Sequence, residues 1–265
     1  MAARDRCIVV RTESTPTRPI VPEIVAHRGY ASRFPENTLR AVRAAFEAGA
    51  THVEVDVLLS ADGVPVLMHD ATLARTAGRP GEVAALTWND LARVEVAERE
   101  RLGEAGAGET VPSLSQLVRL LQRHPDTNAF IELKRAALAR FGVEVVVSRV
   151  LHELEPVQQR AIVISFSADA VRQARAHGAR RIGWVLERYD DDALSEASRM
   201  APEFLFCNYT KFPPSPQRPW VGPWDWVAYE VTDAAVALDL AARGVRFMET
   251  MAVAELMSAL GAQRQ

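Results

Sequence analysis

The chain has 265 residues, 48% of them hydrophobic and 25% charged, with a formal net charge of −3. That size suits a single α/β barrel, which takes about 250 residues, and excludes a second large domain. The near-neutral balance supplies no field to recruit nucleic acid or an acidic membrane, so any anionic ligand has to be held locally.

In chain order, residues 1–22 carry charges, prolines and hydroxyls without an apolar signal-type stretch, and read as a polar tail before one domain at 23–265. Short strand-like runs then alternate with amphipathic helical ones, the pattern of βα units around a parallel sheet. The strand candidates are 24–27, 52–57, 129–134, 161–166, 181–186, 203–208, 226–231 and 245–250. Helical periodicity falls near 38–48, 113–123, 140–153, 168–177, 191–200, 233–243 and 252–260, with Thr38 and Asp233 as N-caps and Gly49, Gly178 and Gly244 at C-terminal caps. Eight such strands predict a TIM-type (β/α)8 barrel. The run at 65–69 follows the second strand too closely for a crossover helix, so it reads as a hairpin extension turning at Asp62-Gly63. A two-residue turn there would set His69 opposite Asp56. Residues 77–112, with a helical piece near 87–94, read as a small insertion before the second main helix, and 212–226 is a Pro-rich loop with three tryptophans.

Cys7 and Cys207 are too far apart in sequence to suggest a disulfide framework or a zinc knuckle, and a reducing cytoplasm is the expected compartment. No run is long enough for a transmembrane helix, so stable membrane insertion is not expected. Oligomeric state is left open.

The chemistry collects at strand ends, which in a parallel barrel share one face. His27 ends the first strand, Glu54 and Asp56 lie on the second, and Glu132 and Lys134 end the third. Side-chain alternation makes Glu54 and Asp56 point one way, and Glu132 and Lys134 likewise. Three carboxylates converging in one interior repel unless a cation sits among them, and oxygen ligation selects one hard divalent ion, Mg²⁺, Ca²⁺ or Mn²⁺. Counting those carboxylates, one such ion, Arg28 and Lys134 leaves a single positive charge. A phosphodiester monoanion balances it, with its non-bridging oxygens shared by the metal and Arg28. His27 and His69 are suited to act as base and acid for displacement at phosphorus. Glu36 and Asn37 are expected to shape the loop before Thr38. Glu230 and Glu249, near the last two strand ends, are candidates to touch the ligand's hydroxyls, with pairing to arginine or lysine the favoured expectation.

The strings AHRG, PENTL, VEVDV, DGVPVLMHD, TLART, VPSL, IELK and ISF, in this order, resemble the glycerophosphodiester phosphodiesterase family over about 24–166. The resemblance implies a TIM-like barrel hydrolysing glycerophosphodiesters to an alcohol and glycerol 3-phosphate with a divalent metal. By motif position it makes His27 and His69 the acid/base pair, Glu54, Asp56 and Glu132 the metal ligands, and Arg28 and Lys134 the phosphate contacts. It also implies attack by the neighbouring glycerol hydroxyl through a cyclic phosphate. The chain departs from the family pattern late, with AYEVTD where Trp-Thr-Val-Asn is common and ETM at 249–251 where Thr-Asp is common. The insertion is also shorter than the family's. Two other readings stay open: a lysophospholipase-like phosphodiesterase using the Trp-rich loop at a membrane, and a non-catalytic phosphate-ester binding barrel.

Overall fold

The structure, a computed structural model, describes residues 21–262. Most of the tail assigned to 1–22, and Cys7 with it, lies outside the described residues.

Nine strands form among the described residues: β1 (Glu23–His27), β2 (His52–Leu59), β3 (Pro65–Leu67), β4 (Asn128–Leu133), β5 (Ala161–Ser165), β6 (Ile182–Val185), β7 (Phe204–Asn208), β8 (Asp225–Tyr229) and β9 (Phe247–Thr250). All but β3 run parallel, and β1 pairs with both β2 and β9, which closes an eight-stranded barrel. This is the TIM-type architecture expected. Helices return the chain outside most of the barrel strands, and several of their starts are fixed by side chains. Thr38 Oγ1 accepts the Ala41 N–H at 3.1 Å, and Asp233 accepts from Ala235 and Val236 at 2.7 and 3.0 Å. The single helix expected near 140–153 is two, Arg135–Phe141 and Val143–Leu154, because Gly142 breaks the run at φ 84°.

The hairpin forms, but its register differs by one residue from the expected pairing. Leu58 faces Val66 and Leu59 faces Pro65. The cause is the turn: Gly63 N–H bonds the Ser60 carbonyl, Gly63 takes φ 80°, and Ser60 bonds Val64, giving a three-residue loop with a left-handed glycine. Asp56 therefore faces Met68, whose N–H it accepts at 3.0 Å, and His69 lies one position further on.

Alternation along the strands divides the barrel interior into an aromatic floor and a charged mouth. Phe130 packs edge-on against Phe204 and Phe206 at 5.0 Å, and His52 stacks on Phe130 at 5.8 Å. Burying each ring contributes about 1.5–3 kcal/mol, so this floor is a principal support for the charges above it. Outside the strands, Leu114, Leu117, Leu121, Val146, Val147 and Val150 form the layer between barrel and helices. No described helix is long and apolar enough to cross a membrane.

Candidate active site

The site begins where β1 ends. Arg28 adopts φ 56° and Gly29 φ 80°, a sharp exit from the strand. Only glycine suits the second position, because a Cβ there would lie 2.6 Å from the Ala41 backbone in the helix Leu39–Glu47. The turn sets the Arg28 N–H 3.2 Å from Glu54 Oε2 and its guanidinium 3.0 Å from Glu36. Arg28 Nε also lies 3.1 Å from Asp56 Oδ2, an ion pair whose angle is not that of a hydrogen bond. Glu36 is held in turn by Arg75 at 2.6 Å, and Arg75 reaches Glu98 and Asp70. The segment after β3 thus braces the arginine.

Across the mouth, Lys134 Nζ bridges Asp56 at 3.1 Å and Glu132 at 3.0 Å. Asn37 clamps Asp56 from the other side, giving its amide to Oδ2 at 2.8 Å and accepting the Asp56 N–H at 3.0 Å. His27 Nε2 lies 3.9 Å from Glu54 Oε2. His69 gives Nδ1–H to Asp70 at 2.6 Å, which leaves Nε2 as its free ring nitrogen. His27, Arg28, Glu54, His69, Glu132 and Lys134 all line one cleft of about 300 Å³, and Asp56 lies beneath it under Arg28 and Lys134. All seven residues singled out by sequence are brought together.

The low dielectric under this mouth separates the charges. Burial, helped by Arg28, lowers His27 to about 3, so its ring is neutral near pH 7. Burial pushes Asp56 up, but Lys134 and Arg28 outweigh it and hold the carboxyl below its usual range. Burial and Asp56 raise Glu132 to about 7 and Glu54 well above the carboxylate range. Ligand atoms of Glu54, Asp56 and Glu132 lie within 4.8 Å of one another, and buried Glu54 Oε1 has no hydrogen-bond partner. These hard, under-compensated oxygens fit a divalent cation.

Residues 27–201 match the model of the glycerophosphoryl diester phosphodiesterase family. The chain belongs to this family. It is 34% identical over 151 residues to glycerophosphodiester phosphodiesterase 1 of Mus musculus, a match covering 57% of this chain and 44% of that protein. A glycerophosphodiester phosphodiesterase of Caldanaerobacter subterraneus is 32% identical over 152 residues, covering 57% and 61%. This chain therefore spans about half the length of the relatives it matches. A phosphodiesterase of Oleispira antarctica, solved with the product sn-glycerol-3-phosphate, superposes with a TM-score of 0.78 at 22% identity over 91% of this chain and 97% of that one. A structure from Silicibacter pomeroyi gives 0.81 at 20% identity, covering 92% and 95%. These two likenesses concern the fold.

Within the family frame, three features went beyond the sequence reading. Glu249 does not pair with arginine or lysine among the described residues; it is 3% exposed and shares the cleft with Glu54 and Glu132. Burial and the Glu132 carboxylate raise it well above the usual range. Its signal was parity: it sits two residues after Phe247, which belongs to the interior floor. Glu230 likewise departs from the expected pairing, since it accepts from Asn208 at 2.6 Å. Asn37 shapes its loop as expected, at φ 57°, and in addition holds Asp56. The tryptophans of the Pro-rich loop pack inward, Trp224 and Trp226 buried and Trp220 stacked on Tyr189 at 3.8 Å, while Val221 beside them is 93% exposed.

Proposed function

We propose that this chain hydrolyses glycerophosphodiesters to an alcohol and sn-glycerol 3-phosphate, using one divalent ion, Mg²⁺, Ca²⁺ or Mn²⁺. The observation that carries this reading is the meeting of His27 and His69 at one barrel mouth with Arg28, Lys134 and the carboxylates. Family membership and the folds of similar phosphodiesterases support it.

In this reading Glu54, Asp56 and Glu132 hold the ion, which when bound polarises the phosphate oxygens as a Lewis acid. Arg28 and Lys134 bind the non-bridging oxygens and orient the diester for in-line attack. Neutral His27 takes the proton of the substrate's own neighbouring hydroxyl as its oxygen bonds phosphorus. The bond to the alcohol breaks on the opposite side, and that oxygen takes a proton from His69. Asp70 keeps the His69 ring oriented. The product is a cyclic phosphate, which water opens with the two histidines in exchanged roles to give glycerol 3-phosphate.

The inward packing of the three tryptophans, which leaves none of them as an exposed aromatic anchor, favours small water-soluble diesters over lysolipids presented at a membrane. The kinetic test uses His27→Ala and His69→Ala, each expected to lower turnover of a glycerophosphodiester by about 10² to 10⁴-fold. Retained turnover in both variants overturns the acid/base assignment. Faster turnover of lysolipid vesicles than of glycerophosphocholine overturns the substrate class.

A further inference from the structure

Glu249 stands in the cleft without a role in the scheme above. Its ligand atoms, with those of His27 and Glu54, lie within 4.8 Å of one another, and Glu54 also belongs to the cluster with Asp56 and Glu132. The two groups are therefore one continuous acidic wall sharing Glu54. Its cations are unevenly spent. Lys134 contacts Asp56 and Glu132, Arg28 contacts Asp56 and Glu36, and neither makes a side-chain ion pair with Glu54 or Glu249. Asp56 is further engaged by Asn37. Glu54, by contrast, is 2% exposed and keeps Oε1 with no hydrogen-bond partner. A buried carboxylate oxygen left bare beside a second buried carboxylate is costly unless a ligand answers both.

We infer that Glu249 is a further ligand of the divalent ion, added to Glu54, Asp56 and Glu132 through the Glu54 carboxylate that the two groups share. The inference rests on the metal-bound reading above and goes beyond its three-carboxylate set. With Glu249 counted, four carboxylates against Arg28, Lys134 and a divalent ion sum to zero before substrate binds, in place of the single positive charge of the three-carboxylate set. It leaves the His27 ring free for proton transfer. Four carboxylate arms suit Ca²⁺, which takes 6–8 oxygens in flexible geometry, better than Mg²⁺, which demands a tight octahedron with several waters.

The test is calorimetric titration of the full chain with CaCl₂ and, separately, MgCl₂, without substrate. Glu249→Gln is expected to weaken Ca²⁺ binding about tenfold or more, Glu54→Gln comparably, and Glu230→Gln less than about twofold. Because Gln is close to Glu in size and leaves no carboxylate to bury, metal-free Glu249→Gln is expected to melt no lower than the parent. Should it fail to fold, Glu249→Asp keeps the charge on a shorter arm and is expected to show the same loss. Wild-type Ca²⁺ affinity in the Glu249 variant, alongside loss in Glu54→Gln, overturns the role of Glu249 and leaves the metal reading standing. Absence of ion binding by the parent chain overturns both.

Discussion

Asn37 and Asp56 exchange two hydrogen bonds, side-chain amide to carboxylate at 2.8 Å and backbone N–H to amide oxygen at 3.0 Å. This reciprocal clamp fixes the carboxylate that Arg28 and Lys134 share. It also explains the left-handed φ of 57° at Asn37, a conformation asparagine tolerates better than most residues. Replacing Asn37 by Gly keeps the backbone and removes the clamp, which isolates its effect on Asp56. Turnover is expected to fall about 10- to 100-fold, as for loss of an orienting partner, with stability lowered by about 1–3 kcal/mol through the unpaired Asp56 N–H. Steady-state kinetics and urea denaturation measure the two effects.

Gly29→Ala places a methyl group 2.6–2.8 Å from Ala41 and Val42 atoms at a residue whose φ is 80°. Overpacking and backbone strain together predict a loss of about 2–5 kcal/mol. Denaturant unfolding monitored by tryptophan fluorescence is the check. A midpoint shift too small for 1 kcal/mol would mean the β1 exit is less constrained than this geometry requires.

Much of this site was legible in the sequence because a strand has period two. Once Glu54 and Asp56 lay on one strand and Glu132 and Lys134 on the next, barrel closure brought them to one mouth. What alternation does not encode is backbone conformation in turns. The left-handed Gly63 lengthened the hairpin turn by one residue and moved His69 off Asp56. Parity marked Glu249 as interior, but its neighbours across the β1–β9 seam follow only from closure. The brace from Arg75 to Glu36 depends on how the segment after β3 lies over the β1 exit, which local patterns do not specify.

His52 supplies a pH dependence separate from turnover. Burial, opposed in part by Glu23, lowers it to about 4 from 6.5. The folded state thus binds its proton less readily than the unfolded state, so this contribution is present above pH 6.5 and lost as pH falls through 4. Between pH 7 and 4.5 the loss is on the order of 2 kcal/mol, at 1.36 kcal/mol per unit. His52→Phe, flanked by Phe130 and Phe247, is expected to show a smaller acid loss than the parent in denaturant melts at those two pH values. An equal loss in both proteins would contradict the assignment.

Arg28→Lys is not a conservative change here. The guanidinium meets Glu36 and Asp56 from one planar group, which a single ammonium does not reproduce. Turnover is expected to fall by about 10² or more, with the larger effect on kcat, if the arginine binds the transition state more tightly than the substrate. An unchanged kcat with raised KM would reduce Arg28 to uniform substrate binding.

Cleavage of a glycerophosphodiester at this barrel mouth with a divalent ion is the proposal on which the expectations for turnover depend. Phosphorus NMR of the purified chain incubated with glycerophosphocholine tests it most directly, with Ca²⁺, Mg²⁺ or Mn²⁺ in one set of samples and chelator in another. The diester resonance is expected to give way to that of glycerol 3-phosphate in at least one metal sample, with chelator suppressing the change. A diester resonance that persists with every metal, while the protein stays folded, would contradict it.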